Sequence, residues 1–313
     1  MRRAVLLTPL ALLLIGALAR AQVQPTDEKI PCRDYRDVLA LFDRLGYTQQ
    51  VWQAGIREVP RVYLDDIPDQ WQARSAKLAT VADKKRIFFR LIGPIVLRIN
   101  ELIAADRTRA KEITEKLLVG QSASPEEHAW LADLAVRYKL IKSEEDRLDS
   151  ELFPELLLRV DVVPPSLSLA QAASESGWGT SRFAAEGNSL FGQWTWGKGK
   201  GMKPAEQRVS THGDHRIATF GSTALAAYAY TLNMNTSAAY RDFRLKRADL
   251  RRQNLRISGT VLASTLLRYS ERGQAYVDDI QRLIRQNQLD AADDAYLKDM
   301  AVIHIVPAGG APK

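Results

Sequence analysis

The segment Ala173-Ser-Glu175-Ser-Gly177-Trp178-Gly179 is where residue types and spacing in this chain first suggest chemistry. It begins just after Pro165 and is rich in alanine, so it reads as a helix that Gly177 and Gly179 stop, with Glu175 in the last turn. A carboxylate at that end meets the partial negative charge of the helix dipole, where a sequence serving stability alone would place Lys or Arg. For a general acid the same placement helps. The dipole and burial beside an aromatic such as Trp178 both disfavour the ionised form. Raising a glutamate from about 4.3 to about 6.5 takes roughly 3 kcal/mol, whereas the dipole supplies about 0.3–1 kcal/mol. Desolvation must supply the rest. Spacing alone leaves the plainer alternative open, a surface carboxylate with Trp178 as ordinary core.

The run Ala170 to Phe183, followed by Gly187-Asn188-Ser-Leu-Phe191-Gly192, resembles the signature of the glucosaminidase domain of glycoside hydrolase family 73. Leu232 to Tyr240 and Tyr269-Ser-Glu-Arg-Gly-Gln-Ala-Tyr276 resemble the Bax-type branch of that family in Gram-negative bacteria. The resemblance covers about residues 150–287. It implies a mainly α, lysozyme-like catalytic domain with a substrate groove beside a small β-hairpin lobe. It also implies an endo-β-N-acetylglucosaminidase that cuts the β-1,4 bond after N-acetylglucosamine in peptidoglycan. Carried over by position, Glu175 matches the glutamate that protonates the glycosidic oxygen, and Tyr269 the tyrosine that lines the catalytic centre. Trp178, Asn188, Phe191, Trp194 and Tyr276 are the substrate-binding residues this implies.

Glycoside hydrolysis usually needs a second carboxylate, either a nucleophile near the acid or a base that activates water. In some relatives that residue sits on the hairpin lobe, and here the lobe falls in Gly201 to Phe220, with Arg208 to Phe220 expected to form two strands around His212-Gly213-Asp214. Its acids are Glu206 and Asp214; Glu206 is the better candidate, since an Asp beside Gly213 suits a turn. The departure from a two-glutamate pattern leaves substrate assistance open, with the 2-acetamido group as nucleophile and Tyr269 orienting it. His212 and His215 lack a companion set in metal-ligand spacing, so neither a metal nor another cofactor is expected. Trp194 and Trp196 could offer apolar faces to a sugar ring, and Trp196 suits core packing nearly as well. Glu271 and Arg272 read as a structural ion pair.

These groups need a scaffold, and 313 residues with 46% hydrophobic content provide one or two buried cores. Met1-Arg2-Arg3, the apolar run Ala4 to Leu18 and Ala19-Arg20-Ala21 read as a signal peptide over 1–21, too short in its apolar part to span a bilayer. Residues 22–149 read as an N-terminal helical extension, 150–290 as the catalytic domain and 291–313 as a tail, with Val306 to Lys313 disordered. Asp34 to Leu45 forms a short amphipathic helix. Ala76 to about Leu118 carries Ile87, Leu91, Ile95, Ile99 and Leu102 at helical steps, kinked or divided at Gly93-Pro94. Ser124-Pro125-Glu126-Glu127 is a capping box opening a helix to about Lys142. Arg268 to Gly273 closes one helix, and Tyr276 to Gln286 forms another.

The formal charge is +7; without Arg2, Arg3 and Arg20 it is 41 basic against 37 acidic side chains, or +4. That suits an anionic wall polymer and lacks the clustered basic face of a nucleic-acid binder. Cys32 is the sole cysteine, so export brings no internal disulfide. The expected product is an exported or periplasmic monomer without stable membrane insertion, acting on the peptidoglycan glycan strand. A lytic transglycosylase, with one catalytic Glu at a similar helix end, and a non-catalytic wall-binding protein are the competing readings.

Overall fold

The computed structural model describes residues 27–67, 80–146, 148–196, 201–203 and 215–308. The leader expected over 1–21 lies outside them, as do Glu206, His212 and Asp214. The N-terminal arm holds β1 (Glu28–Cys32), α1 (Tyr35–Arg44), α2 (Gln49–Gln53), β2 (Glu58–Val59) and β3 (Val62–Leu64). Asp34 caps α1 by accepting from Arg36 N at 2.8 Å, which sets the start where the sequence places it.

Helix α3 (Val81–Leu118) is continuous for 38 residues, and Gly93-Pro94 does not divide it. A proline disfavours the helical region in the residue before it partly through that residue's Cβ, and Gly93 has none. Helix α4 (Pro125–Arg137) opens on the capping box: Ser124 Oγ accepts from Glu127 N at 3.2 Å, and Ser124 N donates to Glu127 Oε2 at 2.7 Å. It ends five residues before Lys142, where Lys139 turns left-handed at φ 55°.

The remaining elements are α5 (Phe153–Arg159), α6 (Pro165–Ser176), α7 (Arg182–Gly187), β4 (Trp194–Trp196), β5 (His215–Ile217), α8 (Thr223–Thr236), α9 (Arg241–Arg252), α10 (Gly259–Ala263), α11 (Gln274–Gln286), β6 (Tyr296–Leu297) and β7 (Ile303–Pro307). The fold is mostly helical with small sheets, as expected for a lysozyme-like, mainly α domain. Among the described residues no helix is long and apolar enough to cross a membrane.

The hairpin pairs β4 with β5 antiparallel, Thr195 opposite Arg216, so Trp194–Trp196 adds a strand not placed from the sequence; residues 208–214, where a strand was expected, lie outside the described residues. Two local expectations change. Arg268 to Gly273 is a turn after the short α10, and Arg272 there pairs with Asp279 of α11, where Glu271 was the expected partner. The region expected to trail as a tail instead contributes β6 and β7. β7 is the central strand of a parallel sheet ordered β1-β7-β3, with Ile303 opposite both Glu28 and Val62. Ile303, His304 and Ile305 are all buried, against strands more than 200 residues earlier in the chain. The main apolar core likewise draws on both sides of residue 150, from Val38 and Phe42 through Ile95 to Ile280.

Helix α6 lies in the middle of this core, against α3, α10, α11 and the 3-10 turn Leu289–Asp294. Pro165 to Ala173 are all buried, and the small residues Ser166, Ser168, Ala170, Ala172 and Ala173 let neighbours approach on every side. Pro164 offers its N-terminus no capping side chain. Asp293 supplies the cap from the 3-10 turn, accepting from Ser166 N at 2.8 Å, Ser166 Oγ at 2.9 Å and Gly259 N at 2.9 Å. Burial pushes the Asp293 carboxyl up to about 6.

Just before α6, Asp161 is buried among three arginines. Arg251 binds it through two bonds of 2.7 and 2.6 Å, Arg247 Nε lies at 3.5 Å and Arg107 NH1 at 3.8 Å. Arg247, fully buried, also donates to the carbonyls of Leu158, Asp161 and Val162 and to Asn235 Oδ1. The cluster ties α3, α8 and α9 to the approach of α6. Burial opposes the Asp161 charge, yet the arginines hold its pKa below the usual carboxylate value. Asp161→Asn leaves Arg247 without its counter-charge and is expected to cost about 3–5 kcal/mol, measured by urea unfolding at pH 7. Because the folded pKa is depressed, the wild-type contribution is present above about pH 4 and fades as pH falls through the folded value. The difference between the two proteins should shrink there.

Candidate active site

Helix α6 ends as its sequence dictates. Gly177 is left-handed at φ 57°, and Trp178 (φ 62°) and Gly179 (φ 74°) continue that conformation. Trp178 N donates back to Ala173 O at 3.0 Å, and Ser176 Oγ accepts from Gly179 N at 2.8 Å, which stitches the turn. A tryptophan held left-handed is strained and needs packing to keep it there. Its ring meets Phe88 and Phe89 of α3 edge-on at centroid distances of 5.8 and 5.3 Å, with Lys85 Nζ 5.0 Å from its centroid.

Trp178 is thus engaged with α3, and the aromatics around Glu175 are tyrosines. The Tyr276 hydroxyl of α11 donates to Glu175 Oε1 at 3.1 Å. Tyr276 stacks on Tyr269 at 5.3 Å with ring planes 8° apart, and Tyr240 tilts against Tyr269 at 5.7 Å. Burial raises the Glu175 pKa, and the Tyr276 bond partly offsets that rise. Burial also raises the pKa of Tyr269 and Tyr276, which stay neutral donors.

The turn after α7 approaches Glu175 from the other side. Gly192 is left-handed at φ 60°, and a Cβ there would sit 2.8 Å from Glu175 Oε2. Phe191 is buried, stacked on Tyr230 of α8 at 4.1 Å, and its carbonyl accepts from the Tyr269 hydroxyl at 3.1 Å. Its ring is core; its backbone anchors the tyrosine.

Asn188 is also a clamp within the fold. Its Oδ1 accepts from Ile67 N at 3.0 Å, and its Nδ2 donates to Asp66 Oδ1 at 2.8 Å and Phe220 O at 3.2 Å. With both amide hydrogens used, it ties the N-terminal arm to the turns flanking the hairpin. Trp194, 50% exposed on β4, presents an aromatic surface two residues past Gly192. Glu206 lies outside the described residues. The structure therefore gathers Glu175, Tyr269, Tyr276 and the Phe191-Gly192 backbone, and directs Trp178 and Asn188 into structural contacts.

Sequence reading missed Gln171 and Tyr230. The Tyr230 hydroxyl donates to Gln171 Oε1 at 2.6 Å, and Gln171 Nε2 donates to the Tyr276 hydroxyl oxygen at 3.0 Å. The available signal was a glutamine one turn before Glu175 in a helix otherwise built of small and apolar residues. An apolar cavity of about 390 Å³, lined by Trp52, Phe89 and Leu289 among others, lies apart from Glu175.

Gly192→Ala is expected to displace the Glu175 carboxyl with its Cβ and so to abolish any activity that depends on that carboxyl. Gly120, left-handed at φ 77° with open space around it, supplies the control. Both alanine variants should lose about 1–2 kcal/mol of stability in thermal unfolding, and Gly120→Ala alone should retain activity.

A family model described as mannosyl-glycoprotein endo-beta-N-acetylglucosaminidase, the glucosaminidase family, matches residues 151–289. Protein Bax of Escherichia coli (strain K12) is 33% identical over 231 residues, which cover 70% of this chain and 78% of Bax. No solved structure matches the chain. The matched region carries Glu175, Gly192, Tyr269 and Tyr276, and the similarity to Bax extends well beyond it: the chain belongs to the glucosaminidase family of glycoside hydrolases, family 73, on its Bax-type branch.

Proposed function

We propose that the protein is an exported, periplasmic peptidoglycan hydrolase that cuts the β-1,4 bond after N-acetylglucosamine, with Glu175 as general acid. The observation that carries this reading is the Glu175 carboxyl itself, raised in pKa by burial and bonded on one oxygen by a neutral tyrosine, in a glucosaminidase-family chain. The leader expected over residues 1–21 supports export.

A protonated Glu175 gives its hydrogen to the glycosidic oxygen as the bond from that oxygen to the anomeric carbon breaks. Water then adds to that carbon and gives up a proton, leaving N-acetylglucosamine at the new reducing end. Glu206 is the candidate base for that water, and the 2-acetamido group of the sugar is the alternative partner. Tyr269 lines the centre with its hydroxyl given to Phe191 O, and Trp194 offers a ring face to the sugar.

Purified peptidoglycan, with products identified by mass spectrometry, tests the assignment. The expected products carry reducing N-acetylglucosamine; anhydro-muramic ends would make the protein a lytic transglycosylase, and sugar binding without turnover a wall-binding protein. Glu175→Gln should lower kcat by at least about 10³-fold. It should also stabilise the fold at pH 7. A folded pKa raised above the unfolded one means that wild-type stability declines as pH rises from about 4.3 through the folded value. The gain in Tm from Glu175→Gln should accordingly vanish near pH 4.

A further inference from the structure

Helix α6 brings Gln171 and Glu175 to the same face, one turn apart. Gln171 is fully buried, and both ends of its amide are engaged. Tyr230, itself hydrogen-bonded by the Ser168 side chain, donates to Gln171 Oε1, and Gln171 Nε2 donates to the oxygen of Tyr276. The Tyr276 hydrogen then goes to Glu175 Oε1. An oxygen that accepts this hydrogen is poorly placed to carry one, so the carboxyl proton belongs on Oε2, the oxygen that faces Gly192. With the amide reversed, Tyr276 would donate to Gln171 Oε1, and the Glu175 proton would be drawn onto Oε1, under the buried tyrosine.

We propose that Gln171 is a positioning residue which, held by Tyr230 and acting through Tyr276, keeps the transferable proton of Glu175 on Oε2. The proposal rests on the reading of Glu175 as general acid. Among the described residues, the titratable groups facing Glu175 are Tyr230 and Tyr240 from the α8 side, Tyr269 from the turn before α11, and Tyr276 on α11; each feels the Glu175 charge, and burial keeps each neutral. The relay Tyr230 to Gln171 to Tyr276 is uncharged throughout. Its members polarise one another toward the carboxyl and strengthen the bond that favours the ionised form.

The test uses the full chain as wild type, Gln171→Met, Tyr230→Phe, Tyr276→Phe and the double variant Gln171→Met/Tyr276→Phe. Two quantities are read: the titration midpoint of the Glu175 carboxyl by ¹³C NMR, assigned by its absence in Glu175→Gln, and kcat and KM on peptidoglycan across pH. Gln171→Met should raise the midpoint by about 0.5–1 pH unit and lower kcat about tenfold, with KM within about twofold. Tyr230→Phe, the conservative change, should move both quantities the same way by less, and it carries the test if Gln171→Met does not fold. Because Gln171 acts through Tyr276, the double variant should match Tyr276→Phe alone. Wild-type midpoints in Gln171→Met and Tyr230→Phe, or effects of Gln171→Met and Tyr276→Phe that multiply, overturn the proposal. A wild type that binds peptidoglycan without turnover overturns the hydrolase reading instead, since the NMR midpoints do not depend on activity.

Discussion

A helix buried along most of its length has no water to satisfy its ends, and α6 is such a helix. Much of the surrounding architecture answers that constraint. At its N-terminus, where Pro164 has nothing to offer, Asp293 arrives from more than 100 residues away and caps α6 and α10 with one carboxylate. A few residues earlier, the Asp161 cluster fixes the chain entering the helix by binding guanidinium groups from α3 and α9. At the C-terminus, the left-handed run Gly177-Trp178-Gly179 reverses the chain and is held by the Trp178 contacts with Phe88 and Phe89. Each device makes burial of α6 tolerable, and burial of α6 is what withdraws Glu175 from water.

The same economy governs the polar groups inside. Gln171, Tyr230, Tyr276 and Tyr269 would each be costly to bury alone. Linked to one another, to Glu175 and to the Phe191 carbonyl, they form a satisfied network whose one acidic member sits at its edge. Gly192 completes the arrangement by contributing no side chain where one would strike the carboxyl. Stability and acidity therefore depend on the same hydrogen bonds.

Features written in local sequence were legible. The Ser124 capping box, the helix opening at Asp34, the glycine stop after α6 and the placement of Glu175 in its last turn each depend on residues within a few positions of one another. Features that depend on a distant partner were not. Phe191, Asn188 and Trp178 fall in the right blocks, but a motif does not say whether a ring faces a groove, a neighbouring tyrosine or another helix. Tyr230 sits in α8, a helix apolar on nearly all sides, where a tyrosine looks like any core residue. Trp194–Trp196 was not legible as a strand, because only its register with His215–Ile217 makes it one.

The parallel sheet also sets an order of events. β1 and β3 are made early, and each needs β7, the last described strand, as its neighbour. A chain emerging from the ribosome therefore carries both strands with open edges until β7 has been made. Contacts of such long sequence separation form slowly and leave the intermediate exposed to mispairing. Strand β7 acts as a closing clasp: the N-terminal arm, and the Asn188 clamp that Asp66 and Ile67 deliver to the candidate site, settle only once β7 has joined them.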